Sequence, residues 1–451
     1  MLSTDPRPGV VATGDANRSG AGADRRIRLP RCGPGRDREN VRSLIPRLAV
    51  TAALVAVASV AAAPATHAQE RPPLAGAVVP DLDPFYAAPS DIGSLRDGQL
   101  VAAREFDPHV PVAARAWQLS YRTNDSHGNP ELAVTTLMVP TTPWTGPGAR
   151  PAVSEQIPED ATGTRCAPSY GFATNTSQAG KQIEKMLARG WAVAIPDFLG
   201  PKSAFLGGAQ AGHAVLDGVR AVGQFAPAEL GPDTPWGMDG FSGGAAATGW
   251  AAELQPSYAP ELSFVGAVIG GVPANLPVVM KNVDGGLFSG FLVGSLVAAS
   301  REFPEIQLDT MLNERGRADT AAASDLCVLE LLARFPFWRL ADATNEDYYR
   351  DDSVLTGVLQ RNSLGKVAPR MPIYNYQSDA DEVVPVAQAD DLIATWRKGG
   401  TTVVTSRDVS GIHLMEGGRR EADAQQFLRD RFIIGGPVTD IDLDRPVPMP
   451  R

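Results

Sequence analysis

The chain has 451 residues, a formal net charge of −10, 43% apolar residues and 20% charged residues. This composition supports a sizeable buried core and excludes wholesale disorder, and the acidic charge argues against nucleic acid as a partner. At about 150 residues per domain, the length allows two or three domains, or one large α/β domain with insertions.

Residues 41–68 have the pattern of a secretory signal peptide. Arg42 and Arg47 precede an apolar run at 48–63, and small residues follow up to Ala68. A transmembrane anchor is the alternative, but the run is shorter than the ~20 residues that a spanning helix needs, and it ends in small residues. We therefore expect export of the protein, with cleavage near Ala68.

The residues before this segment are unusual, because a signal peptide normally stands at the N-terminus. Residues 1–40 are rich in Arg, Gly, Pro and Asp and show no apolar periodicity. We interpret them as a mis-assigned start, with Val41 as the true initiator; a long basic region carrying Arg25 and Arg26 is the alternative. In either case we expect them to be a disordered leader that lies outside the fold.

Cleavage after Ala68 changes the charge and the cysteine content of the protein. Residues 1–68 hold ten Arg and five acidic residues, so residues 69–451 carry a net charge of −15. Cys166 and Cys327 then remain in an oxidising compartment, either bonded to each other or as two buried free thiols.

Strand-type and helix-type patterns alternate along the next part of the chain. Turn-forming residues separate two apolar segments and predict a β-hairpin, and short apolar runs alternate with helical periodicity after it. The predicted strands are 116–121, 132–139, 150–156, 191–195, 236–239 and 262–269, and the predicted helices lie near 183–187, 215–222 and 243–254. This alternation predicts a mostly parallel sheet covered by helices on both faces.

The pattern changes between residues 271 and 366. Apolar residues recur there at helical spacing, as at 288–296 and 326–332, without strand-like alternation. We therefore predict that residues 273–365 form a helical cap or lid inserted into the α/β pattern.

The α/β pattern resumes after the insertion. Strands are predicted at 372–376 and 401–406, with a helix at 386–396 between them. The predicted core of the α/β fold thus has two parts, residues 69–272 and residues 366–451.

The segment Gly240-Phe241-Ser242-Gly243-Gly244 fits the G-x-S-x-G pattern of a nucleophile elbow. In such an elbow the serine stands at a sharp strand-to-helix turn, and Gly240 and Gly244 must be small because the strand and the helix crowd there. The backbone N–H of Gly243 then points at the developing oxyanion. A predicted strand before the motif and a predicted helix after it support this interpretation over an ordinary Gly-rich turn.

A nucleophilic serine needs a base, and chain order selects one histidine. In α/β-hydrolases the order is Ser, then Asp or Glu, then His, and four of the five His residues precede Ser242: His67, His109, His127 and His213. His413 is therefore the predicted base.

The acid of a triad should follow a strand between Ser242 and His413. The loop after the strand at 372–376 carries three acids that fit by spacing, namely Asp379, Asp381 and Glu382. Its task would be to orient the imidazole and stabilise the imidazolium, and spacing alone leaves the three acids open.

The chain resembles the secretory lipase family, that is, the fungal lipase A type and its exported bacterial relatives, within the α/β-hydrolase superfamily. The resemblance spans about residues 80–435. It rests on these blocks: Glu159-Asp160 ahead of Cys166-Ala167-Pro168-Ser169-Tyr170, Gly190-Trp191-Ala192-Val193, Pro196-Asp197-Phe198-Leu199-Gly200, Val215 to Ala221, Gly240 to Gly244, and Asp381-Glu382-Val383-Val384-Pro385.

The resemblance implies roles that the residues alone do not establish. It implies that Asp381 is the acid, that Asp160 lines the oxyanion hole with the N–H of Gly243, and that Cys166 pairs with Cys327 to tie the cap to the core. Relatives often carry His-Gly where this chain has Gln377-Ser378, so Asp379 is kept as the alternative acid.

Together these observations predict an exported serine lipase or carboxylesterase that acts on acyl esters such as triacylglycerols. No cofactor and no metal are expected, because the sequence has no His/Cys cluster of metal-binding type. We expect a monomer with transient contact at a lipid interface, where the apolar cap segments 287–293 and 335–338 either line an acyl tunnel or form the core of the cap. A peptidase or acyltransferase on the same fold, or a non-catalytic binding protein, is the alternative.

Overall fold

The computed structural model describes residues 78–351, 353–409, 411–434 and 441–444. The predicted leader, 1–40, and the predicted signal peptide, 41–68, lie outside the described residues.

A ten-stranded sheet organises the described part of the chain. In chain order the strands are β1 (Leu100–Phe106), β2 (Ala114–Asn124), β3 (Pro130–Pro140), β4 (Ala152–Gln156), β5 (Ala192–Pro196), β6 (Trp236–Phe241), β7 (Phe264–Gly270), β8 (Ile373–Ser378), β9 (Val403–Asp408) and β10 (Ile441–Asp444). Their order across the sheet is β1-β2-β3-β5-β4-β6-β7-β8-β9-β10. The first four strands in this order pair antiparallel, and the others pair parallel.

Helices cover both faces of this sheet. In chain order they are α1 (Pro168–Ala173), α2 (Gly180–Ala188), α3 (Gly208–Gln224), α4 (Gly243–Tyr258), α5 (Leu276–Val283), α6 (Gly290–Glu302), α7 (Leu308–Met311), α8 (Glu314–Ala322), α9 (Val328–Arg334), α10 (Leu340–Ala343), α11 (Val354–Arg361), α12 (Val386–Lys398) and α13 (His413–Ile434). Buried side chains of α3, α4 and α12 belong to one apolar cluster, and those of α2 and α13 belong to the other.

Where the sequence pattern predicts a strand, the burial of that strand matches the pattern. Every residue of β4 and β5 is buried, which is why these parallel strands appear in the sequence as short apolar runs. The β2–β3 hairpin is closed by Asp125, whose Oδ1 accepts from the backbone N–H groups of His127 and Asn129 at 2.9 and 2.8 Å. Sequence analysis did not predict β1, β10 or α13.

The insertion between β7 and β8 consists of helices α5 to α11 and one isolated bridge, Leu312 to Thr344, among its described residues. A disulfide joins Cys166, ahead of α1, to Cys327, the residue before α9. It therefore ties the insertion to the loop that follows β4. Within the described residues, none of the helices is both long enough and apolar enough to cross a membrane.

Candidate active site

Ser242 lies at the turn between β6 and α4, at the carboxyl edge of the parallel strands. Its φ of 54° and ψ of −123° lie outside the regions that non-Gly residues favour, a strain of about 1–3 kcal/mol. The turn is held from the neighbouring strand, because the backbone N–H of Ser242 donates to the carbonyl of Gly270 at 2.8 Å. The side chain is consequently fixed above the end of β6.

The glycines around Ser242 leave no room for a side chain. A Cβ at Gly240 would lie 2.4 Å from Thr248 Oγ1, and a Cβ at Gly244 would lie 1.8 Å from the carbonyl oxygen of Gln156. The backbone of α4 thus crosses directly over the ends of β6 and β4. This geometry is the close approach that the sequence motif predicts.

His413 contacts Ser242 and Asp381 through its two ring nitrogens. Its Nε2 lies 2.8 Å from Ser242 Oγ, and its Nδ1 lies 2.8 Å from Asp381 Oδ2. The His413 and Asp381 side chains are each 1% exposed, so water is excluded from the contact between them. The arrangement suits transfer of a proton from Ser242 to His413.

The loop that follows β8 carries Asp379, Asp381 and Glu382 and is called the acid loop below. Of these three acids, Asp381 is the one whose carboxylate contacts the ring of His413. Asp381 Oδ1 accepts from the backbone N–H groups of Val383 and Val384 at 3.0 and 2.7 Å. Gln377 lies beneath this loop and donates from Nε2 to the Val384 carbonyl at 2.6 Å and to Asp381 Oδ2 at 3.3 Å. Asp379, the alternative acid, is exposed, and its described contact is made through its backbone N–H.

Glu382 contacts the backbone of His413, a role that sequence analysis did not foresee. Its Oε2 accepts from the backbone N–H of His413, the first residue of α13, at 2.9 Å. The carbonyls of Glu382 and Val383 accept from Asn282 Nδ2 of α5 at 2.9 and 3.0 Å. The cap helix, the acid loop and the histidine are thus connected, and the only sequence signal for this was the candidacy of Glu382 as the acid.

Asp160 lies beside the elbow, against Gly243. It is buried with a φ of 43°, and its Oδ1 has no hydrogen-bond partner among the described residues. A Cβ on Gly243 would lie 1.9 Å from that oxygen, so the carboxyl group lies against the Gly243 backbone. Burial raises the pKa of Asp160 to about 7, while the nearby His413 opposes this rise.

Two kinds of hydrogen-bond donor therefore converge beside Ser242. The N–H of Gly243 belongs to the first turn of α4, where backbone N–H groups lack an intrahelical acceptor. When the carboxyl of Asp160 is protonated, it supplies an O–H next to this N–H. Together these groups suit the stabilisation of a negative oxygen.

The other described histidines make structural contacts elsewhere. His127 Nε2 lies 2.8 Å from the carbonyl of Glu302 at the end of α6. The ring of His213 in α3 packs against that of Tyr258 in a tilted arrangement, with centroids 4.3 Å apart. His109 precedes β2 near Asp107.

The apolar cap segments lie mostly inside the cap. Phe291, Leu292 and Trp338 are buried in the larger apolar cluster. Leu287 and Phe337 are exceptions, with 36% and 60% of their surface exposed. Most of these side chains therefore form the core of the insertion.

A profile of the family described as "Secretory lipase" matches residues 169–440. Lipase A of Moesziomyces aphidis is 31% identical over 374 residues, which cover 78% of each chain. A protein of Mycobacterium tuberculosis (strain CDC 1551 / Oshkosh) named "Probable inactive lipase MT1628" is 31% identical over 379 residues, covering 80% of this chain and 84% of its own.

The structure is also similar to a solved one. The X-ray structure of Candida antarctica lipase A in its closed state superposes with a TM-score of 0.75 at 28% identity, covering 81% of this chain and 90% of that one. This likeness, with the sheet order and the helical insertion described above, confirms the predicted α/β-hydrolase fold with an inserted helical cap.

Proposed function

This chain belongs to the secretory lipase family, and on that premise we propose that it is an exported serine hydrolase that cleaves acyl esters such as triacylglycerols. The observation that carries the proposal is the pair of 2.8 Å contacts from His413 to Ser242 and to Asp381. These contacts join three groups in the chain order of an α/β-hydrolase triad.

The proposed reaction proceeds through an acyl-enzyme. His413 Nε2 takes the proton of Ser242 Oγ as that oxygen attacks the ester carbonyl carbon. Asp381 accepts the hydrogen bond from Nδ1, which keeps the imidazole in the required tautomer and stabilises the imidazolium. His413 then protonates the departing alcohol, and water activated by the same ring hydrolyses the acyl-enzyme.

In this proposal the tetrahedral oxyanion binds between the Gly243 N–H and the protonated carboxyl of Asp160. Each preorganised donor of this kind contributes about 3–4 kcal/mol to transition-state stabilisation. An ionised Asp160 would instead repel the oxyanion, so the raised pKa of Asp160 supports its role as a donor.

Export and lipid substrates are part of the same proposal. The family is described as secretory, and residues 41–68 have the signal-peptide pattern. The relative named Lipase A supports a lipid ester as substrate. We propose an extracellular protein whose mature chain begins near residue 69.

A non-catalytic binding role is the second candidate, because one relative is named a probable inactive lipase. This chain retains Ser242, His413 and Asp381 in hydrogen-bonding contact, which favours catalysis.

The test is hydrolysis of p-nitrophenyl esters of graded chain length and of emulsified triacylglycerol by residues 69–451 and by the Ser242→Ala variant. We expect long-chain and emulsion activity that the variant lacks. Activity confined to short soluble esters would reduce the proposal to a carboxylesterase. A complete lack of serine-dependent ester hydrolysis would overturn it in favour of the binding, peptidase or acyltransferase alternatives.

A further inference from the structure

A cavity of about 390 Å³ lies beside the loop that carries Asp160. Its walls are the segment from Pro80 to Ala87, residues 132–134 of β3, the loop that contains Glu159, and the turn from Asp197 to Pro201. Its volume is within the range of small-molecule sites. It does not include the Ser242–His413 pair, so the function proposed above leaves it unassigned.

Hydrogen bonds hold the N-terminal wall of this cavity in place. Asp81 Oδ1 accepts from Thr164 Oγ1 at 2.6 Å, and Asp83 pairs with Arg104 at 2.7 Å. The hydroxyl of Tyr86 lies 2.8 Å from Ser169 Oγ. The wall is therefore a fixed part of the fold.

Glu159 is the one buried acid of the cavity whose carboxyl lacks a described partner. It is 6% exposed, and its Oε2 has no hydrogen-bond partner among the described residues. Asp197, in contrast, accepts from the backbone N–H and the hydroxyl of Ser169. A buried polar group without a partner is costly. Because Glu159 lines the cavity, a ligand there can bond to its carboxyl group through the oxygen that is not sealed from solvent.

The chemistry of the cavity selects the kind of ligand. Burial, reinforced by Asp197 and Asp160, raises the pKa of Glu159 well above its usual value, which favours the neutral form of the acid, with one donor and one acceptor. Among the described residues that line the cavity, none is Lys, Arg or His. A carboxylate or phosphate would therefore lack a counter-charge, whereas a hydroxyl group can either donate to or accept from a neutral carboxyl group.

The cavity lies at the same sheet edge as Ser242. Asp197 directly follows β5, and only β4 separates β5 from β6. Two strand spacings amount to about 10 Å, and Glu159 is adjacent in sequence to Asp160. A substituent of an ester bound at Ser242 would therefore have to extend about 10 Å, past Asp160, to reach Glu159.

We propose that this cavity is a subsite for a hydroxyl-bearing part of the ester substrate, such as the glycerol of a partial glyceride, with Glu159 as its hydrogen-bonding group. The inference rests on the proposed ester hydrolase function and specifies which esters are preferred.

The test compares two esters of the same acid, glyceryl monobutyrate and ethyl butyrate, by pH-stat titration. We expect the wild type to prefer the glyceryl ester and Glu159→Leu to lower the ratio of the two kcat/KM values about tenfold, as expected for one lost hydrogen bond. Glu159→Gln should retain most of the preference, because an amide also donates and accepts.

The outcomes separate this inference from the proposed function. An equal loss for both esters in Glu159→Leu would assign Glu159 to the support of Asp160 and overturn the subsite, as would an unchanged ratio. Competitive inhibition by choline that Glu159→Leu weakens would indicate a cation site and also overturn it. Failure of the proposed function would appear differently, as a wild type that hydrolyses neither ester, and both proposals would then fall.

Discussion

At the scale of single residues, main-chain hydrogen bonds orient the groups of the candidate site. The backbone of Ser242 is tied to Gly270, the carboxylate of Asp381 to two backbone N–H groups, and the backbone of His413 to Glu382. Such contacts hold the three groups within the small tolerance that proton transfer requires. Each residue is therefore placed before a substrate arrives.

The ionisation of Asp160 should determine the alkaline side of the pH profile of kcat/KM. Its protonated form is the donor, and its pKa is about 7 because of burial, so kcat/KM, which reports the free enzyme, should fall as the pH rises above about 7. Asp160→Asn donates at every pH and should remove this alkaline decline. The measurement is kcat/KM for a p-nitrophenyl ester between pH 5 and pH 9.

Asp160→Ala is the matched comparison for this experiment. It removes the donor at all pH values and should lower kcat by about 10²–10³. An alkaline decline that persists unchanged in Asp160→Asn would contradict the assignment of that limb to Asp160.

Glu382 should act by positioning His413. Glu382→Ala removes the acceptor of the His413 N–H and leaves the first turn of α13 uncapped, so we expect kcat to fall about tenfold or more while KM changes little. Steady-state kinetics on a soluble ester checks this. Asp379→Ala, at an exposed acid of the same loop, is the control and should behave as wild type; equal effects of the two substitutions would refute the positioning role.

At the scale of elements, the burial pattern of a strand or helix determined whether the sequence could predict it. Strands buried on both faces, such as β4 and β5, appear as apolar runs and were predicted within a few residues. β1 is an edge strand with largely exposed residues, so its sequence carries no such signal. Helix α13 was missed because its first turns contain Gly417, Gly418 and several charged residues, which disguise helical periodicity.

Within the candidate site, too, the sequence alone could not determine which acid of the acid loop contacts His413. Three acids fit the spacing after β8, and only the fold of the loop, which directs Asp381 at His413, separates them. Likewise, the buried carboxyl of Asp160 resembles any loop acid in the sequence until its contact with Gly243 is known.

The crossing of α4 over the sheet makes Gly244 a sensitive position. An added Cβ would lie 1.8 Å from the Gln156 carbonyl oxygen, so Gly244→Ala must displace α4 or β4. We expect a loss of unfolding free energy of at least about 1–3 kcal/mol together with loss of activity, measured by urea unfolding and ester hydrolysis.

Gly418→Ala is the control within another helix. A Cβ there has no atom within 4 Å, so the substitution should be neutral or stabilise α13 by up to about 1 kcal/mol. A Gly244→Ala variant as stable and active as Gly418→Ala would show that the crossing is less tight than described.

At the scale of the whole molecule, buried acids are spread across the core instead of being confined to the candidate site. Glu155 and Asp239 face each other across β4 and β6, and burial together with the charge of the neighbouring acids raises both pKa values. Burial also raises the pKa of Asp197 to about 7 and that of Glu131 to about 8. At neutral pH the fold therefore retains protons that the unfolded chain has lost.

This excess of bound protons predicts lower stability at alkaline pH. Between about pH 4.5 and pH 8 the folded state binds more protons than the unfolded state, so the unfolding free energy falls as the pH rises, by up to about 1.4 kcal/mol per pH unit for each such group. His213, whose pKa burial lowers, opposes the trend below about pH 6.5. The net expectation is greater stability near pH 5 to 6 than at pH 8, measured as urea unfolding free energy at each pH.

Glu131→Gln isolates the contribution of Glu131 to the pH dependence of the unfolding free energy, because the amide mimics the protonated acid at every pH. Burial and the nearby Glu302 raise the pKa of Glu131 to about 8, so its cost to stability is absent below about pH 4.5, where both states are protonated, and accumulates between about pH 4.5 and pH 8. The variant should match wild type at about pH 4 and be increasingly more stable than wild type as the pH rises to 8, whereas Asp379→Asn, at an exposed acid, should leave the pH dependence unchanged. If the wild type were as stable at pH 8 as at pH 5, or if Glu131→Gln left the slope unchanged, the buried acids could not be the source of alkaline destabilisation, since a raised pKa in the folded state requires that slope.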